Sequence, residues 1–327
     1  MPIETEIKLK VTPQVLGRVR SHALINQSQQ ETWQEKKLFN IYYDTPNFAL
    51  TQEKIALRTR KTGEQFIQTL KTQGTSVAGL SQRYEWEWPL LSEHLDITLL
   101  TPDIWPQALA DSVKNQLIPI FRTDFTRHKT LIKWQQNGAQ SLIEVALDEG
   151  TITSENQTEI ICEVELELKQ GQAGALFDIA VQIAQDLPVL PSEISKAERG
   201  YRLLMQAEAE KAAAVTMIPR ELSTIERIRL LEKILHRSQR YAEDFAQYAQ
   251  HDLFIAWLAS LGQMQQLLAP VNSQLAATLH IIQSSWAQQA PQSVHASFIT
   301  WLTKRQWGMF SLLCAQWMFL QGSKTGH

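Results

Sequence analysis

The sequence predicts an α+β protein with an antiparallel β-structure in its N-terminal part and helices in its C-terminal part. Up to about residue 205, short segments of alternating polar and apolar residues are separated by turn signals such as "YYDTPN" and "LDEGTI". After Pro219 the apolar residues change to helical spacing. A chain of 327 residues is long enough for about two domains. We therefore expect one domain over residues 1–206, a linker over 207–218 and a helical domain over 219–327.

The first predicted strand, in "MPIETEIKLK", has one charged face and one apolar face. Glu4, Glu6 and Lys8 alternate with isoleucine and leucine. Successive side chains of a strand point to opposite sides of a sheet. The charged side therefore faces either the solvent or an enclosed polar site.

Further segments repeat this design, with charged or polar residues at alternate positions. A single such strand is most simply one side of a solvated antiparallel sheet. Solvated faces usually mix in Ser, Thr and Gln, whereas here Arg, Lys and Glu recur in strand after strand. The recurrence favours a charged face that points inward. The positions concerned are Arg58, Arg60, Thr69, Lys71, Arg83, Glu85, Glu87, Glu144, Asp148, Glu163, Glu165, Glu167 and Lys169.

The apolar faces of these strands need a cover, and three segments predict helices that supply it. Thr12 and Thr101 are each followed by proline, a favourable start for a helix. The segment "GALFDIAVQIAQDL" is apolar at helical spacing. Helices outside and charges inside describe a closed barrel with a polar lumen. Buried charges are costly unless they are paired or completed by a ligand, and because both signs occur here we expect a polyanion bound together with cations.

The ordered motifs of residues 1–204 resemble those of the CYTH superfamily, the triphosphate tunnel metalloenzymes. Glu4, Glu6 and Lys8 match the ExExK signature of that family. ExExK alone is weakly specific, but the ordered set of motifs is strongly specific. Its other members are Tyr43-Asp44-Thr45, Leu57-Arg58-Thr59-Arg60, Thr69-Leu70-Lys71, Arg83-Tyr-Glu85-Trp-Glu87, Phe125-Thr-Arg127, Ile143-Glu144 to Asp148, Glu163-Val-Glu165-Leu-Glu167 and Ser195-Lys196-Ala-Glu-Arg199-Gly200-Tyr201.

The resemblance implies an eight-stranded antiparallel β tunnel that binds a triphosphate together with two ions of Mg²⁺ or Mn²⁺. These hard cations prefer carboxylate oxygens, waters and substrate phosphates. One ion would orient the triphosphate, and the other would activate the water that attacks a terminal phosphorus. The implied metal ligands are Glu4 and Glu6, facing Glu163 and Glu165, with Glu85, Glu87 and Glu167 as further candidates.

The same resemblance implies that basic residues hold the phosphate oxygens and stabilise the charge on the departing diphosphate. Arginine suits bidentate contact with phosphate, whereas lysine acts as a point charge. Arg122, Glu144, Asp148 and Arg199 could either contact the substrate or complete salt bridges. The residues implied in both catalysis and substrate binding are Lys8, Arg58, Arg60, Lys71, Arg83, Arg127 and Lys196, and Arg199 is implied in substrate binding only.

The expected activity is metal-dependent hydrolysis of inorganic triphosphate to diphosphate and phosphate. Three alternatives stay open. The tunnel could cyclise ATP, as the class IV adenylate cyclases of the same fold do, or it could hydrolyse thiamine or nucleoside triphosphates. The chain could also be a non-catalytic scaffold that binds polyphosphate. No base-recognition motif is visible, and the many glutamates argue against simple anion binding, so we prefer the inorganic substrate.

The C-terminal region resembles the CHAD helical module, which follows CYTH domains in many bacterial proteins and is associated with polyphosphate binding. The segment "MQAEAEKAAAV" predicts a helical connector, and Ile225, Ile228, Leu231 and Leu235 mark one face of the next helix. From Leu253 onward there is no Asp or Glu, and the region is much shorter than a full module. Its tryptophans most simply form a bundle core, and the alternative is an interface with the tunnel or, through self-association, with a second copy.

The composition argues against several classes of protein. A net charge of −3 gives no general attraction to nucleic acid or to a membrane surface. The apolar stretch "WGMFSLLCAQWMFLQG" is shorter than the ~20 residues of a spanning helix, and the acidic start does not resemble a signal peptide. Cys162 and Cys314 lack metal-ligand spacing, and Cys162 fits a buried strand position. We therefore expect a cytoplasmic protein without nucleic-acid or membrane partners.

Overall fold

The strands of the protein close into an antiparallel barrel. The computed structural model describes residues 3–72, 74–77, 79–136, 138–155, 157–205, 217–286 and 294–324. Its strands are β1 (Ile3–Lys10), β2 (Gln34–Asp44), β3 (Ala56–Thr62), β4 (Gln65–Lys71), β5 (Thr75–Val77), β6 (Leu80–Leu90), β7 (Ile118–Gln136), β8 (Ala139–Ser154), β9 (Gln157–Gln170) and β10 (Leu190–Pro191). Eight of them form the circuit β1-β9-β8-β7-β2-β3-β4-β6, which closes where β6 pairs with β1. The predicted eight-stranded tunnel is confirmed.

Helices cover the barrel and make up the described part of the chain after residue 217. Those of the tunnel region are α1 (Pro13–Arg20), α2 (Ala23–Ser28), α3 (Ala49–Gln52), α4 (Gly174–Asp186) and α5 (Lys196–Leu204). Those of the C-terminal region are α6 (Thr224–Tyr248), α7 (His251–Leu268), α8 (Ser273–Trp286), α9 (Val294–Leu302) and α10 (Arg305–Lys324). Among the described residues, none of these helices combines the length and the apolarity that crossing a membrane requires.

The charged face of β1 points into the barrel. Ile7 and Leu9 point the other way and are buried in one apolar cluster with residues of α1 and α4. Thr12 is the N-cap of α1 and Pro13 opens the helix, as predicted. Because successive side chains alternate, burying Ile7 and Leu9 under helices directs Glu6 and Lys8 into the lumen.

The helix predicted from Thr101 is wrong. Residues 101–110 form turns, and a 3-10 helix follows only at Asp111–Gln116. Pro106 is the fifth residue after Thr101. Because proline has no backbone N–H and its ring clashes with the preceding turn, it prevents a continuous α-helix here. Trp105 is nevertheless buried, and its indole N–H donates to the Leu109 carbonyl, so the segment covers the barrel as a packed loop.

The turn after β2 is tied to α5 by a buried carboxylate. Asp44 accepts hydrogen bonds from the backbone N–H groups of Thr45, Leu50 and Thr51. The Tyr201 hydroxyl donates to the same carboxylate over 2.7 Å. This network fixes α5 against the barrel wall, and α5 carries Lys196 at its first turn.

The C-terminal helices pack directly on the tunnel and share its apolar core. A single cluster of buried side chains runs from β1, α1 and α4 through all five C-terminal helices. Gly308 of α10 lies so close to the Val189 carbonyl that a Cβ at this position would overlap it. The predicted connector and most of the predicted linker 207–218 lie outside the described residues, and the domain boundaries stay a prediction.

Candidate functional site

The barrel encloses a cavity of about 310 Å³ that charged side chains line. Most of the residues predicted for the site line this cavity. They are Lys8, Arg58, Arg60, Lys71, Arg83, Arg127, Lys196, Glu4, Glu6, Glu85, Glu87, Glu165 and Glu167. Six barrel strands and the start of α5 supply these residues. The alternating pattern of the sequence therefore brings together residues that lie up to 192 positions apart.

Four of the candidate residues do not line the cavity, and one of them, Asp148, is fully buried. Glu163 is buried beneath the cavity surface, where it binds Lys196 and Arg199. Arg199 does not line the cavity either, because its guanidinium binds Glu159 and Glu163 outside the lumen. Arg122 lies on the outer surface of the barrel and pairs with Asp124. Arg122 and Arg199 thus complete salt bridges, one of the two roles expected for them.

One side of the lumen, the basic wall, is formed by Arg58 and Arg60 of β3. The Arg60 guanidinium donates to the Asn40 side-chain oxygen over 2.7 Å and has no carboxylate partner within the described residues. Arg58 is buried, its Nε has no hydrogen-bond partner, and its Nη2 lies 3.8 Å from Glu85 and 4.0 Å from Glu87. Burial and the neighbouring Arg58 and Arg127 lower the pKa of Arg60 to about 9. This crowding of positive charge is the environment that a bound anion would relieve.

The other side, the acidic wall, is formed by Glu4 and Glu6 of β1 and Glu165 of β9. Arg83 donates to Glu4 and to Glu6, each over 2.8 Å, and Lys71 Nζ lies 2.8 Å from Glu4. Burial opposes the charge on Glu4, but Lys71 and Arg83 hold its pKa well below the usual range. Burial raises the pKa of Glu6. The adjacent Glu165 and Glu4 raise it further, whereas Arg83 opposes this shift. Burial and two neighbouring carboxylates thus make the ionised form of Glu6 unfavourable, and a bound cation would offset that effect.

A buried ionic cluster closes one end of the acidic wall. Lys196 Nζ lies 2.6 Å from Asp148 and 2.9 Å from Glu165. Arg127 binds Asp148 through two hydrogen bonds of 2.7 Å and reaches Glu165 over 2.5 Å. Burial opposes ionisation of Asp148 and Glu165, but Arg127 and Lys196 hold both pKa values below their usual ranges. The cluster therefore stays ionised and fixes the end of α5 inside the barrel.

Several lining residues were not predicted as candidates. Lys129 of β7 binds Glu144 over 2.5 Å, and it has the same strand parity as Arg127, so extending the alternation would have found it. Lys36 lies opposite Arg127 in the register of β2 and β7. Its neighbour is Lys37, so the sequence does not say which of the two points inward. Tyr42 is buried beside Arg58, and although burial opposes it, Arg58 lowers the pKa of the hydroxyl.

The carboxylates of the lumen fit a divalent cation by their chemistry. Asp148, Glu163 and Glu165 each bring a carboxylate oxygen within 4.8 Å of the other two. Lys196 already binds all three of them with its ammonium group. Glu4 and Glu6 add oxygen donors that face the cavity, and Mg²⁺ and Mn²⁺ are normally held by a few carboxylates with waters and phosphates. The acidic wall is therefore the place where the lumen could hold a metal ion.

Comparison with known proteins finds a curated relative and solved structures that are similar to part of the chain. An inorganic triphosphatase of Haemophilus influenzae is 34% identical over 202 residues, which are 61% of this chain and 54% of that protein. The chain thus spans about half the length of the curated relative it matches. A solved Hippeastrum protein, described as an adenylyl cyclase with dominant triphosphatase activity, is 18% identical with a TM-score of 0.43, over 61% of this chain and 95% of its own. A Bacillus halodurans protein described as an adenylate cyclase is 17% identical with a TM-score of 0.36, over 61% of this chain and 98% of its own.

The family itself follows from a match that covers more than half of the sequence. The sequence profile of the CYTH domain matches residues 2–201. These residues contain the whole barrel, all the lining residues of the cavity and the first six residues of α5. The chain belongs to the CYTH domain family.

Proposed function

We propose that this protein hydrolyses inorganic triphosphate to diphosphate and phosphate inside the barrel, with Mg²⁺ or Mn²⁺ bound at the acidic wall. One observation carries the proposal. Among the described residues, the same lumen holds an arginine without a carboxylate partner, Arg60, and the adjacent carboxylates of Glu4, Glu6 and Glu165. A triphosphate bound together with divalent cations would pair with both kinds of side chain at once, whereas an anion or a cation alone would pair with only one.

The basic wall supplies the phosphate contacts in this proposal. Arg58 and Arg60 present guanidinium groups that suit phosphate oxygens, and the unpartnered Nε of Arg58 would gain an acceptor. Within the described part of the chain, the Lys8 ammonium group has one hydrogen bond, to the Ile194 carbonyl over 3.5 Å, so its charge is also available to a ligand. These groups would stabilise the charge that develops on the departing diphosphate.

The acidic wall holds the metal ions in this proposal, with Glu4, Glu6 and Glu165 as ligands and Glu85, Glu87 and Glu167 as further donors. A divalent cation supplies charge neutralisation and Lewis-acid activation when it is bound. Lys71 and Arg83 keep Glu4 ionised and oriented, since both bind its carboxylate. Arg127 and Lys196 do the same for Glu165. Two ions are expected, as the resemblance implies.

An inorganic substrate is favoured over a nucleotide by the lining of the lumen. Most of its side chains are charged, and its few apolar residues, such as Leu38 and Ile67, are separated among charged neighbours. A purine ring would need a contiguous apolar or aromatic surface. The name of the Haemophilus influenzae relative, inorganic triphosphatase, supports the same substrate. The two free cysteines are buried, which suits the reducing cytoplasm proposed as the location.

The test is phosphate release from inorganic triphosphate, ATP and thiamine triphosphate. Each is assayed with Mg²⁺, with Mn²⁺ and with a chelator, while cyclic AMP formation from ATP is measured in parallel. We expect release that is fastest with inorganic triphosphate, that stops with the chelator and that returns when metal is added. Cyclic AMP without phosphate release would make the protein a cyclase, and turnover of no substrate would favour the scaffold that binds polyphosphate.

A further inference from the structure

Helix α5 has two sides with different partners. Its inner side carries Lys196, Arg199 and Tyr201, whose side chains bind groups of the barrel. Its outer side carries Glu198 and Arg202, which lie one turn apart and bind residues of α6. The helix that brings Lys196 to the buried ionic cluster is therefore held between the barrel and the C-terminal region.

The contact between α5 and α6 is a chain of ion pairs. Arg202 Nη1 lies 2.8 Å from Asp244 Oδ1, and the Asp244 side chain is only 3% exposed. Arg202 Nη2 lies 3.0 Å from Glu198, and Arg240 of α6 reaches the same Glu198 carboxylate over 2.7 Å. Removing one partner of a buried ion pair leaves the other charge uncompensated, so such pairs resist displacement. These four residues, Glu198, Arg202, Arg240 and Asp244, form the clamp between the two helices.

A helix as short as α5 depends on such contacts. It has nine residues, and isolated helices below about 12–15 residues are marginal in water. Two further contacts hold the segment before it on α6. His236 binds Glu193, and the Ser192 hydroxyl donates to Glu243 over 3.1 Å. The chain that leads into α5 is thus fastened to α6 as well.

The position of α5 decides what fills the centre of the buried ionic cluster. The Lys196 ammonium group lies among Asp148, Glu163 and Glu165, whose carboxylate oxygens converge to within 4.8 Å of one another. Three carboxylates at this separation suit a divalent cation as well as an ammonium group. Both cannot fill the centre at once, because like charges repel strongly at such distances. Whether lysine or a metal ion neutralises the carboxylates therefore depends on how firmly α5 is held.

We propose that the clamp positions Lys196, so that its ammonium group and not a divalent cation fills the cluster of three carboxylates. Among the described residues that line the lumen, none belongs to the clamp, so the clamp acts on the site through α5. Metal ions are thereby directed to the part of the acidic wall that Glu4 and Glu6 form. This inference rests on the proposed function, which places the metal ions at the acidic wall, and it makes Asp244 and Glu198 positioning residues.

The first measurement is amide hydrogen exchange, because it depends neither on metal nor on turnover. Asp244→Asn and Arg202→Gln each remove one charge of the buried ion pair in the clamp. We expect the backbone amides of α5 to exchange at least about tenfold faster in both variants than in the wild type. Exchange at the wild-type rate would overturn the proposal, because α5 would then be held without the clamp.

The second measurement is the rise in melting temperature when Mn²⁺ is added without substrate. A cation that binds the folded state stabilises it, so a cluster that Lys196 no longer fills should give a larger rise. We expect the rise in Asp244→Asn to exceed that in the wild type by at least about 2 °C. Faster exchange of α5 without this larger rise would overturn the proposal.

Combined variants show whether the clamp acts through Lys196. In the Lys196→Gln background, Asp244→Asn should not increase the effect of Mn²⁺ further, and a further increase would contradict the proposal. Should Lys196→Gln not fold, the double variant Asp244→Asn with Arg202→Gln replaces it. Because both residues belong to one ion pair, the double variant should show no larger effect of Mn²⁺ than the stronger single variant, and an additive effect would contradict a single clamp.

Two matched controls separate the clamp from a general loosening of the C-terminal region. Asp178→Asn changes the carboxylate of α4 to which Gln316 of α10 donates over 2.7 Å, which is another contact between the tunnel and the C-terminal helices. Arg227→Gln removes an arginine of α6 that donates to the Leu267 carbonyl within the C-terminal region. Both variants should match the wild type in the exchange of α5 and in the effect of Mn²⁺. A larger effect of Mn²⁺ in either control would overturn the proposal, because loosening alone would then admit the cation.

Phosphate release from triphosphate separates this inference from the proposed function. A wild type that hydrolyses no triphosphate overturns the proposed function, while hydrogen exchange and the effect of Mn²⁺ still test the clamp. A wild type that hydrolyses triphosphate, with clamp variants that match it in both measurements, overturns only the clamp. The two proposals can therefore fail separately.

Discussion

Lys196 Nζ lies 2.6 Å from Asp148 Oδ2, although Lys196 belongs to helix α5 and Asp148 to strand β8. The same ammonium group binds Glu163 and Glu165. All four side chains are largely buried, so the contact has little competition from water. Helix α5 thereby supplies the positive charge that three converging carboxylates need.

Lys196→Gln should destabilise the protein and create a site for a divalent ion. Removing the ammonium leaves three carboxylate oxygens within 4.8 Å of one another, and breaking a buried ion pair typically costs ~3–5 kcal/mol of unfolding free energy. Because an ion that binds the folded state stabilises it, added Mn²⁺ should raise the melting temperature of the variant more than that of the wild type. Thermal denaturation with and without Mn²⁺ measures both effects. Lys61→Gln, an exposed control, should show neither, and an unchanged melting temperature in Lys196→Gln would refute the contact.

Asp148 makes the stability of the fold sensitive to acid. Arg127 and Lys196 lower its pKa in the folded state below the unfolded value of about 3.9, against the opposing effect of burial. The stabilisation is therefore fully present above about pH 4 and is lost as the pH falls through the folded pKa. The unfolding free energy of the wild type should fall on acidification below about pH 4, whereas that of Asp148→Asn should be lower near neutral pH and should fall less steeply. Urea titrations over this pH range give both slopes, and parallel curves would be inconsistent with the assignment.

Glu6→Gln and Glu165→Gln should both abolish hydrolysis while shifting stability in opposite directions. Because the pKa of Glu6 is raised in the folded protein, its carboxyl group stabilises the fold at low pH, and this stabilisation is lost as the pH rises through the folded pKa. Glu6→Gln should therefore be more stable than the wild type near neutral pH. Glu165 has a lowered pKa and binds Lys196 and Arg127, so Glu165→Gln should be less stable.

Activity and Mn²⁺ binding of these two variants are measured with Glu149→Gln as the control. Glu149 is on β8 but exposed, so its replacement should leave turnover unchanged. We expect kcat for triphosphate to fall at least about a hundredfold in both lumen variants, together with weaker Mn²⁺ binding in calorimetry. Full activity in either variant would remove that glutamate from the proposed metal site.

Arg60→Gln should weaken substrate binding without weakening the fold. Among the residues that the structure describes, Arg60 has only Asn40 as a hydrogen-bond partner, and it lies near Arg58 and Arg127, so removing its charge relieves repulsion in the free protein. The loss of a charged contact with phosphate should raise KM for triphosphate about tenfold to a hundredfold. Steady-state kinetics and thermal denaturation test the two halves of this expectation. Arg122→Gln, on the outer surface, should match the wild type in KM, and a large loss of stability in Arg60→Gln would contradict the absence of a carboxylate partner.

The alternation of charged and apolar residues was sufficient to predict the barrel and most of the lumen. It succeeds where a strand has one strict period, as in the segment of Glu4, Glu6 and Lys8, because a period of two assigns each side chain to one face. It fails for the Lys36-Lys37 pair, where adjacent charges hide the parity. It also cannot show that Glu163 is covered by Lys196 and Arg199, since that depends on where α5 docks.

The shared core was beyond the sequence for a different reason. It arises from the packing of α6 and α10 on the tunnel, and residues that meet there are far apart in the chain. Arg240 and Glu198 are separated by 42 positions, and Gln316 and Asp178 by 138. No local periodicity encodes such contacts, so the sequence alone does not show where α6 and α10 dock on the tunnel.

Gly308→Ala should weaken the docking of α10 on the tunnel region. A methyl group at this position would overlap the Val189 carbonyl oxygen, and backbone atoms cannot move aside as a flexible side chain can. Forcing extra volume into such a contact typically costs ~1–3 kcal/mol of unfolding free energy. Because β10 follows Val189 directly and pairs with β1, the strain should also reach the strand that carries Glu4 and Glu6. Urea denaturation of the full-length variant should show a lower midpoint.

Gly322→Ala is the control in the same helix. A Cβ there meets no described atom within 4 Å, and alanine favours helices, so the urea midpoint of this variant should stay level or rise. Equal midpoints for Gly308→Ala and the wild type would mean that α10 does not approach the tunnel backbone this closely.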